Sequence, residues 1–200
     1  SLLPRLARHA GIDYPDLIEQ VGQALAAQAP GDHAADRVRL DAELVAALAV
    51  DQQWPERAIF ALGNSGELRF YEWRFPLLWE EAVMRASGDT GVDPAWVYGV
   101  MRSESAMVEQ ARSSAGALGL MQIMPATARG IARQFNERWR GNNSMYKPEL
   151  NIRYSSYYYQ KLLKQFDGNY AIALAAYNAG PNRVKKWLPE HHSIPADIWI

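Results

Sequence analysis

One glutamate concentrates the chemical interest of this chain. From Asp93-Pro94 onward, Val97, Val100 and Met101 recur at three- and four-residue spacing, and Glu104 falls on the same face. Asp93 is placed to cap such a helix, with Pro94 at its first position. A carboxylate that shares a helix face with the core is poorly solvated when charged. Its pKa therefore rises toward the range in which it donates a proton near neutral pH. Farther along, Gly119-Leu120-Met121-Gln122-Ile123-Met124-Pro125 is rich in glycine and methionine and reads as the wall of a pocket. On these residues alone two readings stand side by side. Glu104 is a general acid, or it is a solvated or satisfied group near a helix end. Gly116 and Gly119 bring backbone close to a ligand, or they are ordinary turn residues with Met121, Ile123 and Met124 as core.

Other chemistries find little footing. His9, His33, His191 and His192 lack metal-ligand spacing, so neither a metal nor a cofactor is expected. Cysteine is absent, which removes disulfide and thiolate chemistry and selects no compartment.

The elements that must position Glu104 read as helices almost throughout, giving an all-α chain of stacked helical hairpins. Leu17, Ile18, Val21 and Leu25 mark a first helix between Pro15 and Pro30. Val38, Leu40, Leu44, Val45 and Leu48 mark a second, from Ala34 to about Val50. Pro55 opens a third, carrying Ile59, Phe60 and Leu62 and ending at Gly63-Asn64-Ser65-Gly66. Pro76 opens another with Leu77, Leu78, Val83 and Met84. The small polar stretch Ala86-Ser87-Gly88-Asp89-Thr90-Gly91 reads as the best break before the Glu104 helix. Beyond Pro148 the stripe Ile152, Ser155, Tyr159, Leu162, Leu163, Phe166 predicts a long helix stopped at Gly168. Asn169 caps a compact Ala-rich helix from Tyr170 to about Asn178, and Pro181 opens a last one with Val184, Trp187 and Leu188. At most a very short β-hairpin is expected, between Ser113 and Ile123.

The formal net charge of −1 comes with scattered lysines and arginines, so no basic stripe tracks a phosphate backbone and no nucleic acid is expected as a partner. No apolar run is long enough to span a bilayer, and the start does not read as a signal peptide. A first residue of Ser1 and the apolar end Ile198-Trp199-Ile200 suggest a processed or shortened chain. Seven Trp and ten Tyr supply faces that stack on sugars, although many of them belong to a core.

Four ordered blocks carry a resemblance. Glu104-Ser105 is followed by Ser113 and Gly116-Ala117-Leu118-Gly119-Leu120-Met121-Gln122-Ile123-Met124-Pro125-Ala126-Thr127-Ala128; then come Asn151-Ile152-Arg153 with Tyr157-Tyr158, and Ala175-Ala176-Tyr177-Asn178-Ala179-Gly180-Pro181. Together they resemble the soluble, lysozyme-like lytic transglycosylases, over Phe75 to Leu188. The resemblance implies two domains: residues 1–74 as the end of a helical superhelix, and residues 75–200 as a lysozyme-like catalytic domain shortened at its C-terminus.

The activity this resemblance implies is non-hydrolytic cleavage of the β-1,4 bond between N-acetylmuramic acid and N-acetylglucosamine in peptidoglycan. Glu104 matches the acid that protonates the glycosidic oxygen and then, as base, takes the C6 hydroxyl proton to give a 1,6-anhydro sugar. Ser113, Gln122, Met124, Tyr158, Tyr177 and Asn178 match substrate-binding positions, and Gly116 and Gly119 match turns of the site. Most glycosidases need a second carboxylate; Glu109, Glu137, Glu149 and Asp167 belong to no matching motif. Glycan strands of peptidoglycan are the implied partner and the periplasm the implied location. Peripheral attachment to membrane or wall is left open, and protein partners are unassigned.

Met107, Val108 and Glu109 depart from the family's aromatic-Asn-Pro stretch, and Ser114 stands where proline is common. The rivals are a lysozyme-like muramidase that adds water, and a helical scaffold that binds cell wall without cutting it.

Overall fold

The structure is a computed structural model that describes residues 34–66 and 69–188. The chain divides into two compact units, Ser1–Leu77 and Leu78–Ile200. The helix read between Pro15 and Pro30 lies outside the described residues.

In the first unit, α1 (Ala34–Asp51) packs on α2 (Pro55–Ser65), which meets the single turn α3 (Tyr71–Arg74). Pro55 starts α2 without sacrificing a backbone hydrogen bond, and Gly66 ends it in the left-handed conformation that glycine adopts freely. Ala46 and Ala49 of α1 are buried with Ala58 and Leu62 of α2. These small side chains let the two helices approach closely. Phe70 and Trp73 stack beside them with ring centroids 4.8 Å apart. The expected apolar stripe is only partly the buried one: Leu44 and Phe60 are exposed, because the contact runs along the alanine face.

The second unit is organised on one long helix. It comprises α4 (Glu80–Thr90), α5 (Pro94–Ser105), α6 (Pro125–Gln134), a 3-10 turn (Asn142–Tyr146), α7 (Pro148–Gln165), α8 (Tyr170–Ala179) and α9 (Pro181–Trp187). Helix α7 packs against α4, α6, α8 and the 3-10 turn, while α5 lies on α4 and α9 on α8. Its 18 residues make a rod of roughly 27 Å. It buries Asn151, Ile152, Tyr154, Ser155, Ser156, Tyr159 and Leu162, far more than one stripe. Against it Leu118, Ile123, Ala128, Ile131, Ala132 and Met145 form a core with Tyr154.

Two expectations about α4 need correction. The stretch Ala86 to Gly91 is no break: it is the second half of α4, with Gly91 as its left-handed cap. Ala86 and Ser87 are buried there, and tertiary packing overrides the weak helix propensity of Gly88. The helix also starts at Glu80, not at Pro76; Trp79 sits in the left-handed region before it, and Met84 is exposed.

The all-α reading holds. Among the described residues the only strand-like pairings are two isolated antiparallel bridges, Arg112 with Leu118 and Leu118 with Ile123, where a short hairpin was expected. No helix of the described residues is long and apolar enough to cross a membrane.

Candidate active site

Helix α5 delivers Glu104 as the geometry of its sequence requires. The Asp93 carboxylate accepts a hydrogen bond from the Ala95 amide at 2.8 Å, capping the helix where the chain also fixes Pro94. Val97, Val100 and Met101 are all buried. Glu104, one turn after Val100 and Met101, is carried to the edge of the same core and is half-buried. Burial raises its carboxyl pKa above the ordinary value, and no charged neighbour among the described residues acts to lower it. The negative end of the helix dipole works in the same direction.

Directly after Glu104 and Ser105 the backbone reverses through two consecutive left-handed residues, Ala106 (φ 49°) and Met107 (φ 68°), both buried. Neither is glycine, so this turn stores strain that its surroundings must hold. The Val108 amide donates to the Ser105 carbonyl at 3.0 Å and closes the turn.

Facing this helix end is the loop from Ser113 to Met124, which is held from three sides. Ser105 donates its hydroxyl to the Leu120 carbonyl at 2.8 Å. Tyr177 of α8 donates its phenol to the Met121 carbonyl at 2.7 Å. Asn151 of α7 is fully buried: its Oδ1 accepts from the Met121 amide at 2.9 Å, and its Nδ2 donates to the carbonyls of Leu118 and Met145 at 2.9 and 2.8 Å. Gly119 (φ 73°) is glycine for a spatial reason as well, since a Cβ there would run into the Asn151 amide and the Met145 carbonyl. Gly116 (φ 89°) serves the turn in which Ser113 Oγ accepts from the Ala117 amide at 3.0 Å.

The expected binding residues sit on this scaffold in different ways. Gln122 (φ 49°) folds back, and its Nε2 donates to the carbonyls of Gly119 and Ala111 at 2.8 and 3.1 Å. Only its Oε1 is then uncommitted among the described residues. Met124 is 43% exposed at the start of α6, as a side chain that lines an open groove would be. Tyr158 of α7 packs its ring on Tyr177 with centroids 5.6 Å apart. Burial raises the phenol pKa of both tyrosines. For Tyr177 the Ser155 hydroxyl opposes that rise, while Glu104 and then Tyr158 add to it, so the phenol feels the charge of the acid. Asn178 is exposed, and its Nδ2 donates to the Leu174 carbonyl at 3.2 Å within its own helix.

Of the alternative carboxylates, Glu137 is committed elsewhere. Tyr154 donates its hydroxyl to it at 2.7 Å and Arg153 grips both of its oxygens, so the Glu137 carboxyl lies below its usual range. The same contact and burial push the Tyr154 phenol up to about 12. Glu149 and Asp167 are exposed, Glu149 in the first turn of α7 and Asp167 in the turn that follows it. Among the described residues no cluster of His, Cys, Asp or Glu could hold a metal.

The family described as Transglycosylase SLT domain matches residues 81–200. The chain belongs to that family. It is 35% identical over 145 residues to the soluble lytic murein transglycosylase of Salmonella typhimurium, covering 72% of this chain and 22% of that protein. The corresponding protein of Escherichia coli K12 is 33% identical over the same length and the same shares. The transglycosylase of the enterobacteria phage PRD1 is 33% identical over 122 residues, 61% of this chain and 42% of its own length. Among solved structures, an inactive Glu-to-Gln mutant of the lytic transglycosylase Slt from Pseudomonas aeruginosa superposes with a TM-score of 0.74 at 28% identity, over 96% of this chain and 36% of that one. The 70-kDa soluble lytic transglycosylase in complex with bulgecin A gives 0.69 at 31% identity, over 77% and 26%. This SLT-family chain thus shares the all-α lytic transglycosylase fold, and spans about a fifth of the length of the bacterial relatives it matches.

Two residues that hold this loop were not singled out as functional from the sequence, although both stand in the quoted blocks. Ser105 and Asn151 bond only to backbone, Ser105 to Met101 and Leu120 and Asn151 to Leu118, Met121 and Met145, and a short polar side chain gives no sign in one sequence that its partner is a distant backbone group.

Proposed function

We propose that this chain is a peptidoglycan lytic transglycosylase acting in the periplasm, with residues 75–200 as its catalytic domain and residues 1–74 as the end of a preceding helical superhelix. The observation that carries the reading is Glu104: a half-buried carboxyl with a raised pKa that has, among the described residues, no ion-pair partner and no charged neighbour that shifts it. No other carboxylate among the described residues shifts it.

The bond changes follow. The protonated Glu104 gives its proton to the oxygen between N-acetylmuramic acid and N-acetylglucosamine, and the C1–O bond breaks with the electron pair going to that oxygen. N-acetylglucosamine leaves as an alcohol, and the substrate's own N-acetyl group stabilises the cationic C1. The Glu104 carboxylate then removes the proton of the C6 hydroxyl, whose oxygen bonds to C1. A 1,6-anhydro end forms, water is not consumed, and Glu104 is protonated again. Glycosidases that work with a carboxylate pair require the second one within about 10 Å. An intramolecular hydroxyl makes it unnecessary, which suits a site whose acid feels no other carboxylate. Ser113, Gln122 through Oε1, Met124, Tyr158 and Asn178 line the glycan path, and Tyr177 ties the loop to α8. The inactive Glu-to-Gln mutant of the Pseudomonas aeruginosa relative supports a glutamate at the centre of the chemistry.

Mass spectrometry of digested cell-wall glycan tests the proposal. Anhydro-muramoyl ends are the expected product, and reducing ends that carry an added water would replace the lyase with a muramidase. The Glu104→Gln chain should bind glycan without cutting it. Undiminished cutting would take Glu104 out of the mechanism.

A further inference from the structure

A second concave surface of the catalytic unit shares no residue with the Glu104 cluster. It is a cleft of about 830 Å³ between α4, the 137–147 connection and the first turns of α7. That volume suits a ligand of several hundred daltons.

Its walls differ in sign. Along the connection stand Arg138, Arg140 and Lys147, all exposed and none in an ion pair among the described residues. Asp89, near the end of α4, and Glu149, in the first turn of α7, bring uncommitted carboxylates into the same cleft. Trp139 lies half-buried between the two arginines, and the Arg129 guanidinium sits 6.0 Å from its ring centroid. The other charges of the cleft are already neutralised: Arg153 holds Glu137, and Arg85 pairs with Glu81 outside the lining. What remains open is a row of cations, an aromatic ring and separate anions.

We propose that this cleft binds a short peptide bearing several carboxylates and a free amine, namely the stem peptide carried by peptidoglycan. The ligand's identity rests on the substrate class proposed above. Carboxylates of the peptide meet Arg138, Arg140 and Lys147, its ammonium group meets Asp89 or Glu149, and its short aliphatic side chains lie on Trp139. An anionic lipid surface would instead be served by a flat patch of one sign, and here carboxylates share the same concave surface. A stem held here, apart from the Glu104 groove, would keep the enzyme on the wall between cleavage events.

The test is titration of the 15N-labelled chain with the free tetrapeptide L-alanyl-γ-D-glutamyl-meso-diaminopimelyl-D-alanine, followed by NMR. Shift changes are expected at the Trp139 indole and the amides of 138–147, weakening with added salt. The double variant Arg138→Glu/Arg140→Glu, checked for its fold by circular dichroism, should bind the peptide at least about fivefold more weakly, the loss expected for two surface charge contacts. Shift changes confined to the residues around Glu104, or equal affinity in the variant, would overturn the proposal. So would a variant that loses binding to phosphatidylglycerol vesicles but not to the peptide. Because the probe holds no glycosidic bond, binding is read independently of cleavage. A chain that binds peptide here but makes no anhydro ends discards the proposed reaction and keeps the site, and the reverse result discards the site alone.

Discussion

Ser105 donates its hydroxyl to the carbonyl of Leu120 at 2.8 Å, so the residue next to the proposed acid is fastened to the loop that faces it. With Tyr177 on Met121 and Asn151 beneath, the loop is tied to α5, α8 and α7 at once. The position of Glu104 relative to the facing loop is thus decided by three hydrogen-bonding side chains on three helices. Each of the following predictions perturbs one part of that arrangement.

Glu104 is expected to make activity fall as pH rises. The acid must be protonated to act, and burial holds its pKa above the ordinary carboxyl value of about 4.3. The alkaline limb of kcat/KM should therefore lie above that value. A limb at the ordinary value would show that Glu104 is solvated in the free protein. Glu104→Gln should lower kcat by roughly 10²–10⁴-fold, the range for loss of a positioned general acid.

The same residue should cost the fold stability at neutral pH. A carboxyl whose pKa is raised on folding contributes stability below the unfolded value of about 4.3, and that contribution is lost as pH rises through the folded value. Glu104→Gln, uncharged at every pH, should melt above the parent chain at pH 7, with the gap closing below about pH 4. Thermal melts at both pH values check this.

Tyr177→Phe removes the donor to the Met121 carbonyl and keeps the ring against Tyr158. Leaving that carbonyl without its partner should cost about 1–3 kcal/mol in denaturant unfolding. Activity should fall through kcat more than KM, since the loop loses its tie near the acid while the groove residues remain.

Gly119→Ala should be the more damaging glycine substitution. The new Cβ would meet the Asn151 amide and the Met145 carbonyl, and alanine dislikes φ 73°. A loss of about 3 kcal/mol or more is expected. Gly116→Ala, at φ 89° with open space around the added carbon, should lose only the conformational part, about 1 kcal/mol. Equal losses in chemical denaturation would contradict the proposed close approach at Gly119.

Most of the helices and two of their caps were legible in the chain. Asp93-Pro94 and Asn169 act as local signals: each side chain accepts from an amide two or three residues on, so no distant partner is needed to read them. The apolar spacing of Val97, Val100 and Met101 also placed Glu104 at the edge of the core, because a helix fixes its own angular period. What the sequence could not convey was which neighbour each face would meet. Three consecutive tyrosines make the point: Tyr157 packs on Phe135, Tyr158 on Tyr177, and Tyr159 donates to the Tyr170 carbonyl at 2.8 Å. A rotation of about 100° per residue sends Tyr157 to the end of α6, and Tyr158 and Tyr159 to opposite ends of α8. Likewise Ala86 to Gly91 looked like a break by composition and became helix through burial, and Leu44 looked like core and is exposed. Local hydrogen bonds and periodicity belong to the sequence by itself. The grip of Ser105, Tyr177 and Asn151 on one loop belongs to the tertiary structure, since each spans 15 to 56 residues of chain that only packing brings together.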